Sequence, residues 1–196
     1  MKLGAVDPLA RDALARNDRY LLEFIEALNL CPFAKGCREG GTLHREVFAL
    51  DAPSVPEVVA RVQVLEARPP DQVEVALFLF PRLAIGARDF ERFVAEVRTA
   101  HQAALGHGRA GYFLVAFHPD LKMDLGNADR AVTFLRKSPD PTIQLVSTAA
   151  TDRARDAARD PKALSRIIAE AGLRAVQEAG PERLARLLEE IRRDRR

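Results

Sequence analysis

Val73-Glu-Val-Ala-Leu-Phe-Leu-Phe80 is almost continuously apolar, the signature of a strand covered on both faces. A strand with one wet face would alternate instead. Tyr112-Phe-Leu-Val-Ala-Phe117 has the same character and stops at His118-Pro119. Two such strands need helices above and below them, and the sequence supplies them. Ser54-Val-Pro-Glu57 forms a capping box, followed by Val55, Val58, Val59, Val62 and Leu65 at helical period. Phe90, Phe93, Val94, Val97 and Ala104 mark another helix, closed by Gly106 and Gly108.

Outward from this centre, Asp7-Pro8 is a helix cap with proline at the first helical position. Leu21, Leu22, Phe24, Ile25 and Leu28 continue a helix, with a restart at Asp18, that should stop near Asn29 because Pro32 disfavours its continuation. Lys35-Gly-Cys-Arg-Glu-Gly-Gly41 has the composition of a loop, and His44 to Leu50 that of a strand. Thr142 to Ser147 is a fourth strand with Ile143 and Leu145 inward. Asp160-Pro161 caps a helix carrying Leu164, Ile167, Ile168, Ala171 and Val176, and Gly180-Pro181 breaks it. Leu184, Leu187, Leu188 and Ile191 form the stripe of a last helix, expected to dock on its own chain. The expected fold class is α/β. It is a single-domain layered fold over residues 1–196 with a small, mainly parallel four-stranded sheet, an N-terminal helix and two C-terminal helices. Residues 180–196 form a basic helix that can also stand as an appendage.

Composition narrows the class of function. The 196 residues are 47% hydrophobic and 30% charged, with a net charge of +2, which suits one globular domain and argues against bulk disorder. No apolar run approaches the ~20 residues that span a bilayer, and the N-terminus lacks a signal-peptide core. Two cysteines cannot form a secreted disulfide scaffold, so the expectation is a cytoplasmic protein with reduced thiols. Residues 152–196 carry 12 basic and 9 acidic side chains, and most of that excess lies in Arg192-Arg-Asp-Arg-Arg196. No aromatic residue interleaves with those arginines, which argues against a nucleic-acid partner.

In open α/β sheets ligands gather beyond the carboxyl ends of strands, so His118 stands where a proton-transfer or metal-ligating histidine belongs. Asp120 can orient its ring or cap a turn. Cys31 can be a nucleophile, a metal ligand or a small buried group. Its position after a helix C-terminus opposes a thiolate, so activation needs a cation such as Lys35, Arg38, His118 or Lys137. Cys31 and Cys37 lack the spacing and the following helix of a redox dithiol. Two cysteines and four histidines show no paired zinc spacing. His101 and His107 fall on a helix face and in its terminal loop, positions exposed by default. Arg136-Lys-Ser-Pro-Asp-Pro-Thr142 is stiffened by two prolines. Its Lys137, Ser138, Asp140 and Thr142 either bind an anion or satisfy a rigid turn. No phosphate loop, paired-carboxylate motif or nucleophile elbow is present, and no cofactor is indicated.

Asn29-Leu-Cys-Pro-Phe-Ala-Lys35, Phe117-His-Pro-Asp120 and Ser138-Pro-Asp-Pro-Thr142 together resemble the DUF1415 family. These are bacterial proteins of similar length whose function is unassigned. The resemblance runs from about residue 18 to about residue 175 in the same motif order. Ahead of Ser138-Pro139 the family carries Asn-Tyr-Thr-Asn-Arg, whereas this chain has Thr133-Phe-Leu-Arg-Lys137. Lys137 thus stands in place of arginine and lacks its bidentate fork. Cys37 has no counterpart in the family pattern.

Three functions follow as expectations. In the first, an enzyme acts on a small anionic metabolite, with Cys31 as nucleophile or redox thiol, His118 and Asp120 for proton transfer, and Lys35, Lys137, Ser138, Asp140 and Thr142 holding the anion. The second is a non-catalytic module that binds a ligand or partner. The third is a metal site built on Cys31 and His118.

Overall fold

The computed structural model describes residues 7–122, 124–158, 160 and 164–195. Helix α1 (Pro8–Arg19) begins at the expected cap, where the Asp7 carboxylate accepts the Leu9 N–H at 3.1 Å. It does not restart at Asp18. The chain runs directly into a π-helical segment (Tyr20–Glu26), whose i to i+5 pairing places Tyr20, Leu21, Phe24 and Ile25 on one buried face. Asn29 ends the run with a positive φ of 50°, a conformation asparagine tolerates.

The glycine-punctuated stretch after it is not a loop. It forms α2 (Ala34–Gly40), closed by Gly41 in the left-handed region at φ 74°. Next come β1 (Leu43–Val47), α3 (Val55–Glu66), β2 (Val75–Leu79), α4 (Ala87–Leu105) and β3 (Tyr112–Phe117). The Ser54 capping box forms in full. After β3 come α5 (Ala128–Leu135), β4 (Thr142–Ser147), α6 (Thr148–Ala157), α7 (Leu164–Ala179) and α8 (Pro181–Arg193). The helix α6 was not anticipated, so three helices follow the sheet rather than two. The expected Asp160-Pro161 cap includes Pro161, which lies outside the described residues. No helix among the described residues is long and apolar enough to cross a membrane.

The fold is α/β, but the sheet is not mainly parallel. Its strand order is β1-β2-β4-β3, with β1 parallel to β2 and β4 antiparallel to both of its neighbours. The physical reason is plain. An apolar run identifies a strand covered on both faces without fixing its direction, and the β3–β4 connection returns the chain between β2 and β3.

Residue alternation divides the core between two faces. Ala76 and Phe78 of β2, Leu114 of β3 and Ile143 and Leu145 of β4 pack under α3 and α4. Val75, Leu77 and Leu79 face the other way, against the π segment, Phe134 of α5, Val176 of α7 and Leu184, Leu188 and Ile191 of α8. The last helix therefore docks on its own chain. Helices α5 and α7 approach closely at Gly172, where a Cβ would stand 2.8 Å from Leu135 Cδ1.

A buried ion pair ties α1 to the loop before β4. Arg16 donates from Nε and Nη2 to the two Asp140 oxygens, each at 3.0 Å, and from Nη1 to the Asp194 carbonyl at 3.3 Å. Both partners are over nine-tenths buried. Asp140→Ala would strand the guanidinium without its counter-charge, so it should lower the unfolding free energy by about 3–5 kcal/mol. Urea denaturation of the full chain measures this, with Arg193→Ala, which breaks an exposed pair to Glu189, as a control expected to change little.

Candidate functional site

The sequence-expected residues divide between two cavities. One, of about 490 Å³, lies beside the proline loop and is lined by His118, Asp120 and Asp140 together with Arg16, Arg82, Arg192 and Arg195. The other, of about 460 Å³, lies on the second sheet face and holds Cys31, Ser138 and Thr142. Cys31 and His118 are therefore not brought together. Lys35 is exposed on α2 and lines neither cavity, and nor does Lys137.

His118 is buried at 2% exposure against the Phe90 ring, 5.7 Å between centroids. The Asp120 backbone N–H donates to Nδ1 at 3.1 Å, so the ring proton sits on Nε2 and is donated to the Ile85 carbonyl at 3.0 Å. Both ring nitrogens are thus engaged by backbone, and neither is free for proton transfer or metal binding. The Asp120 carboxylate is 3.9 Å from Nδ1 and instead accepts from Arg192 at 3.1 Å. It is the Asp120 backbone, not its side chain, that orients the ring. Burial pushes the imidazole pKa down, against the opposing charge of Asp120 and the Ile85 hydrogen bond.

The Ser138–Thr142 loop is satisfied internally. The Ser138 and Thr142 hydroxyls both donate to the Asp140 carbonyl, at 2.6 and 2.8 Å, and the Asp140 carboxylate is held by Arg16. Burial pushes the Asp140 carboxyl pKa up, with the Arg16 fork pulling against it. Lys137 donates to the Leu121 carbonyl at 3.2 Å. These groups form a rigid turn whose donors are already in use, and the cation that lines the sheet-face cavity is the preceding residue, Arg136.

Cys31 is half-buried on the wall of that cavity. The sequence places it at an unfavourable helix C-terminus, but α2 follows it immediately. The Ala34 N–H donates to the Cys31 carbonyl at 3.2 Å; the nearby N–H groups of Phe33 and Ala34 favour the thiolate, although burial outweighs them and pushes the thiol pKa up. Cys37 lines the same cavity, donates to Glu74 at 3.5 Å and is likewise pushed up by burial. Among the described residues no three His, Cys, Asp or Glu side chains converge on a metal position.

Tyr20 is the residue that sequence reasoning passed over. It lines the sheet-face cavity at 4% exposure, and its buried hydroxyl has no hydrogen-bond partner. Burial pushes its phenol pKa well up, and the Cys31 thiolate adds to that shift. The available signal was a tyrosine opening the Leu21, Phe24, Ile25 stripe. His101 was also misplaced by the sequence: it is buried, with Nε2 2.8 Å from Glu66, whose other oxygen accepts the Gly111 N–H.

Residues 12–185 match the model of a family described as proteins of unknown function, DUF1415. The chain belongs to the DUF1415 family. No curated protein and no solved structure matches it significantly. In this DUF1415 member Leu30-Cys-Pro-Phe-Ala34 lies along the sheet-face cavity, with Lys35 outside it, while His118-Pro-Asp120 lies on the other.

The hydrogen bonds to His118 make a residue-specific prediction. An NMR titration of the ring should show the Nε2–H tautomer at neutral pH and a pKa below the ordinary 6.5. The unfolded chain then takes up the proton first. The stability contributed by neutral His118 is complete above about pH 6.5 and is lost as pH falls from there through the folded-state pKa. Denaturation curves alone would mix in His44, which burial shifts in the same direction. A His118 pKa above 6.5 would contradict the assigned geometry.

Proposed function

We propose that this protein binds a small, largely apolar molecule bearing a single polar, anionic group, and that the ligand occupies the sheet-face cavity. The observation that carries this reading is the Tyr20 hydroxyl. A phenol buried without a partner is unfavourable by about 1–3 kcal/mol, and buried polar groups in folded proteins are almost always paired. Here the residue that carries the unpaired group is part of the wall of a cavity whose other walls include Leu21, Ile25, Val75, Leu77 and Ile168. An apolar pocket with a few convergent polar groups is the usual form of a small-molecule site.

A catalytic role for Cys31 is the second reading. The place of Cys31 on the wall of that cavity favours it, and the thiol would act on the same apolar, anionic molecule without help from His118. In either case the site belongs to a cytoplasmic protein with reduced thiols, and neither nucleic acid nor membrane is its partner.

Anilinonaphthalene sulfonate, an apolar anion that fluoresces when desolvated, tests the cavity. Native protein should give saturable, single-site binding. Ala169→Phe, which fills the cavity from α7, should abolish it while leaving the far-ultraviolet circular dichroism unchanged. Tyr20→Phe should stabilise the unliganded protein by about 1–3 kcal/mol and weaken the probe. Probe binding indifferent to Ala169→Phe would overturn the proposal.

A further inference from the structure

Granted that the sheet-face cavity is the ligand site, its electrostatics identify the class of ligand. Among the described residues that line it, Arg136 is the only charged one, and no carboxylate is among them. Arg136 is half-buried just past the end of α5, and no acidic side chain among the described residues pairs with it. Other half-buried or buried arginines do have a carboxylate partner. Arg16 is neutralised by Asp140, Arg38 by Glu26 and Arg45 by Asp18. A cation facing a mainly apolar space is left with a charge that the protein does not balance.

We infer that the ligand is an apolar monocarboxylic acid, with its carboxylate on Arg136 and its hydrocarbon along the second face of the sheet. The guanidinium fork matches a carboxylate in shape and hydrogen-bonding pattern, and one positive charge balances one negative charge. A phosphate monoester would bring a second charge, and the described lining residues hold no second cation to receive it. An amine would face Arg136 directly. Gln144 is a neutral polar residue on the same wall, while Val75, Leu77, Val115, Phe117 and Val146 form an apolar floor across three strands.

Four eight-carbon probes test the inference by calorimetric titration of the full chain near pH 7: octanoate, octanol, octylamine and octyl phosphate. Octanoate should bind about tenfold or more tighter than octanol, the ratio expected of a charge-assisted hydrogen bond, and octylamine should not bind. Arg136→Gln should bring octanoate down to the affinity of octanol without changing octanol itself. The wild-type series decides the matter even where the variant fails to fold. Equal binding of octanoate and octanol, or tighter binding of octyl phosphate, overturns the carboxylate assignment. If the sulfonate probe still binds in those cases, the cavity remains a ligand site. Failure of all four compounds and of the sulfonate probe would remove both readings together.

Discussion

The Arg16–Asp140 pair is the constraint around which the rest of the molecule is arranged. Burying two opposite charges carries a desolvation penalty of several kcal/mol for each ion, offset only where geometry is good and the remaining donors are satisfied. Here it is. Two guanidinium nitrogens meet two carboxylate oxygens and the third meets the Asp194 carbonyl. One side chain thereby joins the first helix, the proline loop before β4 and the C-terminal tail. Fixing α1 also fixes the π segment that continues from it, and that segment covers the second sheet face. The same carboxylate holds the loop in which Ser138 and Thr142 share the Asp140 carbonyl.

The two faces of the sheet are filled differently, and β4 shows why. Ile143 and Leu145 point under α3 and α4, where Phe48, Phe78, Phe80 and Phe90 close the core. Thr142, Gln144 and Val146 point the other way. That face is covered by several short or irregular pieces: the π segment, α2, the end of α5 and one side of α7. Pieces of this kind do not interdigitate to the density of two long helices on a sheet, and the space left between them is the cavity. The proline loop separates it from the arginine-lined space beside His118.

Local signals carried much of this into the sequence. The cap at Asp7, the box at Ser54, the covered strand at Val75–Leu79 and the inward pair Ile143 and Leu145 each follow from neighbouring residues alone. The direction of β4 does not, because burial on both faces is the same for parallel and antiparallel strands. Nor does α2: its two glycines and cysteine favour a loop on propensity, and packing of Cys37 into the second core overrides that preference. Among the candidate residues, the positions of His118 and Cys31 at element ends were legible, but their chemistry was not. The Ile85 carbonyl that takes the His118 proton lies 33 residues away. Tyr20 was hidden by its own surroundings, since a tyrosine in an apolar stripe resembles core until its hydroxyl is shown to lack a partner.

Among the described residues, that hydroxyl and Arg136 both lack an acceptor, but not of the same kind. An unpaired phenol is relieved by any acceptor, and a guanidinium by an acceptor that also carries charge. Water can serve the first, but in a cavity walled by leucine, valine and phenylalanine it finds few partners for its own hydrogen bonds. Substituting Phe at position 20 would remove the first demand, and a neutral residue at 136 the second, and either change would make the empty protein more apolar without disturbing the sheet. Cys31 sits between these demands as a neutral thiol, its pKa raised by the desolvation that leaves Tyr20 unpaired. An anion bound close to the sulfur would raise it further, so anion binding there and thiolate formation oppose each other. An enzyme relying on the Cys31 thiolate would have to bind its anion away from the sulfur. A carrier of apolar acids would not face that conflict, and this physical difference is why we propose binding ahead of catalysis for the cavity.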